Sequence, residues 1–140
     1  MGDFSLQIGA FCELAKERAR DVAVASVLDL TERIVQRSPV DTGLFRGNWQ
    51  VRVNGRPVGP IQRIDKQPLG SRMGASERGA AVANLSAFKL GDHVWITNEL
   101  PYAQRLEYEG YSKQAPSGMV RLARLEWLEI IRIATAKATV

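Results

Sequence analysis

The stretch RIVQRSPVDTGLFRGNWQVRV, residues 33–53, carries the end of a helix, a turn and a strand in quick succession. Ser38-Pro39 stops the helix, because proline drives the residue before it out of helical backbone. Within Pro39 to Gly47, Asp41 or Thr42 can cap a short helical turn, and Gly43 and Gly47 permit sharp reversals. Asn48 to Val53 then alternates Trp49, Val51 and Val53 with Gln50 and Arg52. That is the period two of a half-buried strand, and it assigns Trp49 to the core.

Upstream, Ser5 to Arg37 contains no proline and a single glycine, Gly9, so it reads as one long helix. At about 100° per residue, Phe11, Leu14, Ala15, Val22 and Ala25 share one side, with Glu13, Lys16, Glu17 and Arg20 opposite. In the second half the faces exchange. Val24, Val27, Leu28, Ile34 and Val35 take the opposite side, and Asp29, Glu32, Arg33 and Gln36 occupy the formerly apolar one. Such a helix either bends around one core or offers its N-terminal half to a neighbouring subunit and its C-terminal half to its own sheet. On the second alternative Phe11 and Leu14 are interface residues.

Downstream, residues 54–74 are punctuated by glycine and proline too closely for a regular element. They are expected to form a long mobile loop or hairpin arm, made basic by Arg56, Arg63, Lys66 and Arg72. The alternatives are solvated disorder and an arm that reaches DNA or a partner. Ser76 can cap a helix running to Phe88, His93 to Asn98 reads as a second strand, and Pro101 leads into a short helix from Tyr102 to Tyr108. After a loop, Gly118 to Lys137 reads as a second long helix. Its Leu122, Leu125, Trp127, Leu128, Ile131 and Ile133 form a broad apolar face expected to pack under the sheet. The order of elements predicts an α+β fold in one domain spanning 1–140: a small antiparallel or mixed sheet against two long helices, with a flexible basic loop or arm over 54–75.

The 140 residues, 45% hydrophobic and 24% charged, suffice for one core without disulfides or a structural metal. A lone Cys12 and the lack of a secretory signal fit a reducing compartment, and no apolar run approaches the ~18 residues of a membrane span, so a soluble protein is expected. A net charge of +4 and a pI near 9.6 tolerate nucleic acid nearby, but the charges are scattered. Residues that carry chemistry are few. His93 reads as a strand-edge residue beside Asp92, and pairing it with Cys12 leaves two metal ligands to find. Gly70 to Gly74 lacks the lysine and hydroxyl of a phosphate loop, and Asn84-Leu85-Ser86 matches a glycosylation acceptor by chance. Glu107 and Glu109 are expected to be solvated loop carboxylates flanked by Arg105 and Lys113. No enzyme and no cofactor follow from this inventory.

Two stretches carry a resemblance. They are Ser38 to Trp49, with Asp41, Thr42, Gly43 and Trp49, and Ile96 to Tyr108, with Asn98, Pro101, Tyr102 and Glu107, continuing through Lys113, Gln114 and Pro116 to Val120. Together, with a long helix at each end, they resemble the gp10-like family of tailed phages, first named in phage HK97, over most of the chain. Glu109, between Tyr108 and Gly110, departs from the family pattern, where glycine directly follows the aromatic residue. The resemblance implies a neck or tail completion protein of the virion, present in the host cytoplasm during assembly. It implies small α+β subunits that form a ring, a hexamer or dodecamer, around the DNA channel. Such a ring contacts the head connector or adaptor and tail tube or terminator proteins, and carries no cofactor. On that reading Lys113, Gln114 and Pro116 are interface residues, the other motif residues are scaffold, and the basic loop faces passing DNA. A tail terminator or head-closure ring is the alternative within the virion. A basic nucleic-acid-binding protein is the alternative from another class.

Overall fold

A computed structural model describes residues 2–138, and the first of its elements is a single 35-residue helix, α1 (Gly2–Gln36). It ends where expected. Ser38 donates its hydroxyl to Ile34 O at 2.8 Å and accepts the indole N–H of Trp49 at 2.8 Å, so the stop of the helix is fastened to the first strand. The first half of α1 does not reach the core. Residues 5–19 are exposed, Leu6 to 72% and Phe11 to 70%, whereas Ile34 and Val35 are fully buried. The C-terminal face written as polar is also covered: Glu32 accepts the Met73 N–H at 2.7 Å, and Arg33 bridges Asp29 and Glu126.

The sheet has two antiparallel strands, β1 (Trp49–Val53) and β2 (Val94–Asn98), in the register Trp49 opposite Asn98 and Val53 opposite Val94. A pair this small is marginal alone. Its support is α2 (Ala75–Leu85), whose Ala81 and Leu85 pack with Val51, while Val24, Val27 and Leu28 of α1 close the same cluster. Side chains stand in for a third strand along β1, with Arg63 donating to Trp49 O at 2.7 Å and Asn84 to Val51 O at 2.8 Å. Ser76 is not the cap of α2; the cap position is Gly74, with no side-chain hydrogen bond, and the helix ends three residues before Phe88.

Residues 54–74 hold no strand and form no hairpin arm. They remain irregular, but the segment is fastened to the body at several points. Ile61 N–H reaches Asn48 Oδ1 at 2.8 Å, Asp65 N–H reaches Gly43 O at 2.9 Å, and Gly70 N–H reaches Gln36 O at 3.1 Å. The physical reason is Arg46, in the 3-10 turn Arg46–Asn48, which is 0% exposed. A buried guanidinium needs acceptors. It finds Asp65 Oδ2 at 2.9 Å, Ser71 O at 2.6 Å and Arg72 O, all supplied by this segment.

The C-terminal region contains α3 (Ala103–Tyr108), α4 (Val120–Arg124) and α5 (Trp127–Ala138). The second long helix is therefore two helices. At Leu125 and Glu126 the backbone tightens, with Leu125 N–H bonded to Leu122 O at 3.2 Å and Glu126 N–H to Ala123 O at 3.0 Å. Glu126, at this break, is drawn to Arg33 and Arg37 of the α1 end. The rotation changes which face is buried: Ala123, Ile130 and Ala134 are inside, while Leu125 and Leu128 are 81% and 82% exposed. The pair packs on α1 rather than under the sheet.

Candidate functional site

The two stretches Ser38 to Trp49 and Ile96 to Val120 meet in space around a cleft of about 660 Å³, lined by Asp41, Tyr102, Leu106, Tyr111 and Lys113 among others. Each wall follows from local chemistry. On one side Gly43 lies at φ +87°, where a Cβ would fall 2.5 Å from Asp65 O, so glycine is required by both backbone and space. Thr42 Oγ1 accepts the Leu44 N–H at 3.2 Å, a local turn bond; neither Thr42 nor Asp41 caps the 3-10 helix. On the other side Gln114 clamps Val40, accepting its N–H at 2.8 Å and donating to its carbonyl at 3.0 Å. The side-chain amide imitates a strand partner and ties two segments far apart in sequence.

Tyr102 stands over Phe45 with ring centroids 6.0 Å apart, and Phe45 meets Trp49 edge-on at 5.8 Å. This aromatic row runs from the core to the surface. Burial, and then the negative charge of Asp41, hold the Tyr102 phenol above its ordinary range, so it remains a neutral hydrogen-bonding group at physiological pH. Asp41 and Lys113 place opposite charges in a cleft whose other lining residues are aromatic and aliphatic side chains with the polar Thr42, Ser112 and Gln114. Chemically this suits a protein partner presenting an apolar side chain with flanking polar groups.

The remaining sequence candidates separate into framework and surface. Asn98 donates to Phe45 O at 2.9 Å and accepts the Leu100 N–H at 3.3 Å, fixing the corner at which Pro101 and Tyr102 turn into α3. Pro101 precedes that helix rather than opening it. Glu107 is not solvated. It is 7% exposed, and its carboxylate accepts the N–H groups of Met119, Val120 and Arg121 at 2.6, 3.1 and 2.8 Å, capping α4. Glu109 is the exposed residue that follows α3. Pro116 places its carbonyl against Gly110, 3.1 Å from where a Cβ would be.

The basic residues of the 54–74 segment do not act alike. Arg63 turns inward to Gly47 O, Trp49 O and Glu77, and Arg56 pairs with Glu99 at 3.3 Å. Lys66 and Arg72 stay exposed. His93 and Cys12 are exposed as well, and among the described residues no group of three or more His, Cys, Asp or Glu side chains is placed to hold a metal ion. No described helix is long and apolar enough to cross a membrane.

The reading of residue types missed the Arg46 and Asp65 pair. The available signal was an arginine set between Phe45 and Gly47, three residues before the core residue Trp49. Tyr111, 68% exposed on the cleft, was also missed, because a single aromatic in a polar loop has no period to mark it. Comparison with protein-family models, curated proteins and solved structures finds no match.

Proposed function

We propose that this protein is a structural component of a tailed-phage virion, a subunit of the neck or tail completion ring that joins the head connector to the tail around the DNA channel. The observation that supports it is the convergence of both family-like stretches on one cleft, joined by the Gln114 clamp on Val40. A surface for binding a protein partner needs apolar area with charged groups at its edge, and Tyr102 and Tyr111, with Asp41 and Lys113, supply it. Gly43 fixes the turn in one wall of that surface, and Asn98 and Glu107 hold it in shape without lining it.

The deciding experiment is electron microscopy of lysates from a source phage lacking the gene. Separate heads and finished tails support a joining role, abnormal tail lengths favour a terminator, and intact infectious virions overturn the reading. Complementation with Tyr111→Ala and Lys113→Glu together tests the cleft. Both positions are exposed, so stability should change by no more than ~0.5 kcal/mol per site, while joined particles fall at least tenfold. Wild-type yields from that variant would remove the cleft from the joining surface.

Passing DNA must slide, and with Arg63 turned inward and Arg56 paired, Lys66 and Arg72 are the exposed cations of the 54–74 segment. We expect non-specific DNA binding weaker than about 10⁻⁵ M at physiological salt. A tight complex in a salt titration would favour the nucleic-acid-binding alternative.

A further inference from the structure

The chain covers one edge of its sheet and leaves the other bare. In an antiparallel pair the backbone groups of successive residues point alternately toward the partner strand and away from it. Just past the strands, Asn54 N–H is bonded to His93 O at 2.7 Å. In the observed register the hydrogen-bonded pairs are therefore Arg52 with Trp95 and Gln50 with Thr97, and the backbone groups of the residues between them point outward. On β1 those outward groups are covered, because Arg63 donates to Trp49 O and Asn84 to Val51 O. On β2 they are not. Among the described residues no backbone N–H or C=O of Val94, Ile96 or Asn98 meets a protein partner, and no element besides β1 runs alongside the strand. Open edges are ordinarily blunted by proline, lysine or a bulge. Residues 94–98 contain no proline or lysine and keep an unbroken register with β1.

A row of outward N–H and C=O groups at strand spacing is matched by another extended backbone. From this edge we infer that β2 pairs with β2 of a second copy, antiparallel about a two-fold axis at Ile96, to make one four-stranded sheet. The occupant is a second copy because the strand is complementary to itself. With Ile96 opposite Ile96 of the other copy, Val94 falls opposite Asn98, and all three outward residues of each copy are paired; a shift of two residues either way leaves one of them out. On the face turned from the core, Trp95, 42% exposed, falls opposite Thr97, an aromatic and β-branched pair in the close, non-hydrogen-bonded position. Just beyond the strand the exposed His93 falls opposite Glu99, whose carboxylate carries Arg56 at 3.3 Å, so opposite charges alternate and no like charges meet directly across the two strands. Isologous pairing is also the commonest form of association between identical chains. Strands this short bury less than a standard interface, so the pair belongs to the weak class. It is a property of the free protein and does not rest on the joining role.

Amide exchange of the full chain, read residue by residue by NMR at about 20 μM and about 1 mM, tests the pairing. The Val94, Ile96 and Asn98 amides should slow at least fivefold at the higher concentration, while those of Trp95 and Thr97, already bonded within the chain, keep their rates. Light scattering over the same range should rise from the 15.5 kDa chain mass toward twice that value. Register is read by disulfide formation in a Cys12→Ser background, where a mixture of Trp95→Cys and Thr97→Cys chains should cross-link as the mixed pair and either chain alone much less. A single-chain mass at 1 mM, with the three amides exchanging equally fast at both concentrations, overturns the inference. So does a doubled mass with those amides unprotected, which places the contact elsewhere, or Trp95→Cys linking mainly to itself, which a different register requires.

Discussion

Replacing Arg46 with alanine should destabilise the protein by about 3–5 kcal/mol, and at 2–4 °C or more per kcal/mol for a chain of this size should lower Tm by roughly 10–15 °C. The guanidinium is 0% exposed and its partner Asp65 is 5% exposed. Loss of the arginine leaves the carboxylate buried without its countercharge, and leaves the carbonyls of Ser71 and Arg72 without their donor. Replacing both members, by Arg46→Met and Asp65→Leu, should cost clearly less than Arg46→Ala. An apolar pair carries no uncompensated charge. If the double variant were as damaged as the sum of the two single ones, the coupling would be absent.

The same pair sets a pH dependence. Burial pushes the Asp65 carboxyl up, but hydrogen bonds from Arg46, Gln67 N–H and Gly74 N–H, with the arginine charge, outweigh it and hold the group below its usual range. A depressed folded value means that the folded state binds the proton less readily than the unfolded chain. The stabilisation is then fully present above the unfolded pKa of about 3.9 and is lost as pH falls through the folded value. In Arg46→Ala the effect of burial loses its main opponent, so the penalty relative to wild type should shrink between pH 7 and pH 4. Thermal melts at a series of pH values check the sign; a penalty that grew on acidification would contradict this account.

Much of the fold was legible because local chemistry and tertiary structure agree. The Ser38-Pro39 stop, the alternation from Trp49 to Val53 and the strand around Trp95 each rest on a period or a breaker, and each appears within a residue or two of its expected place. What escaped was decided between segments. Nothing in Arg124-Leu125-Glu126-Trp127 breaks a helix by itself; the break coincides with the ion pairs that Glu126 makes to Arg33 and Arg37. Likewise the 54–74 segment has the composition of a free arm, and is fastened because Arg46, buried by its neighbours, takes acceptors from it. The cleft shows both cases. Its turn and corner could be read from Gly43, Asn98 and Pro101, whereas the Gln114 clamp on Val40 depends on two loops meeting.

Glu107 carries the second large effect: Glu107→Ala is expected to cost about 2–4 kcal/mol, with a loss of roughly 5–12 °C in Tm. Its carboxylate accepts three successive N–H groups at the start of α4, and Arg121 returns to the Glu107 backbone carbonyl. Those N–H groups have no acceptor within their own helix; Met119 is fully buried, so alanine leaves its N–H dry and unpaired, while the exposed Val120 and Arg121 exchange their carboxylate bonds for water. Glu107→Gln keeps one acceptor but turns an amide donor toward the others, and should recover only part of the loss. Gly118 adds a geometric constraint, since at φ +87° a Cβ there would lie 2.7 Å from Glu107 O. The loop bearing Lys113 and Gln114 is thus held at its C-terminal end by Glu107 and at its middle by Val40. Hydrogen exchange separates this from general weakening. In Glu107→Ala the amides of Met119, Val120 and Arg121 should lose protection first, while those of Asp65 and Gly74, beside the Arg46 pair, keep theirs. Uniform loss at both places would mean that Glu107 acts on global stability alone, and the cleft loop would then owe its position to the Gln114 clamp.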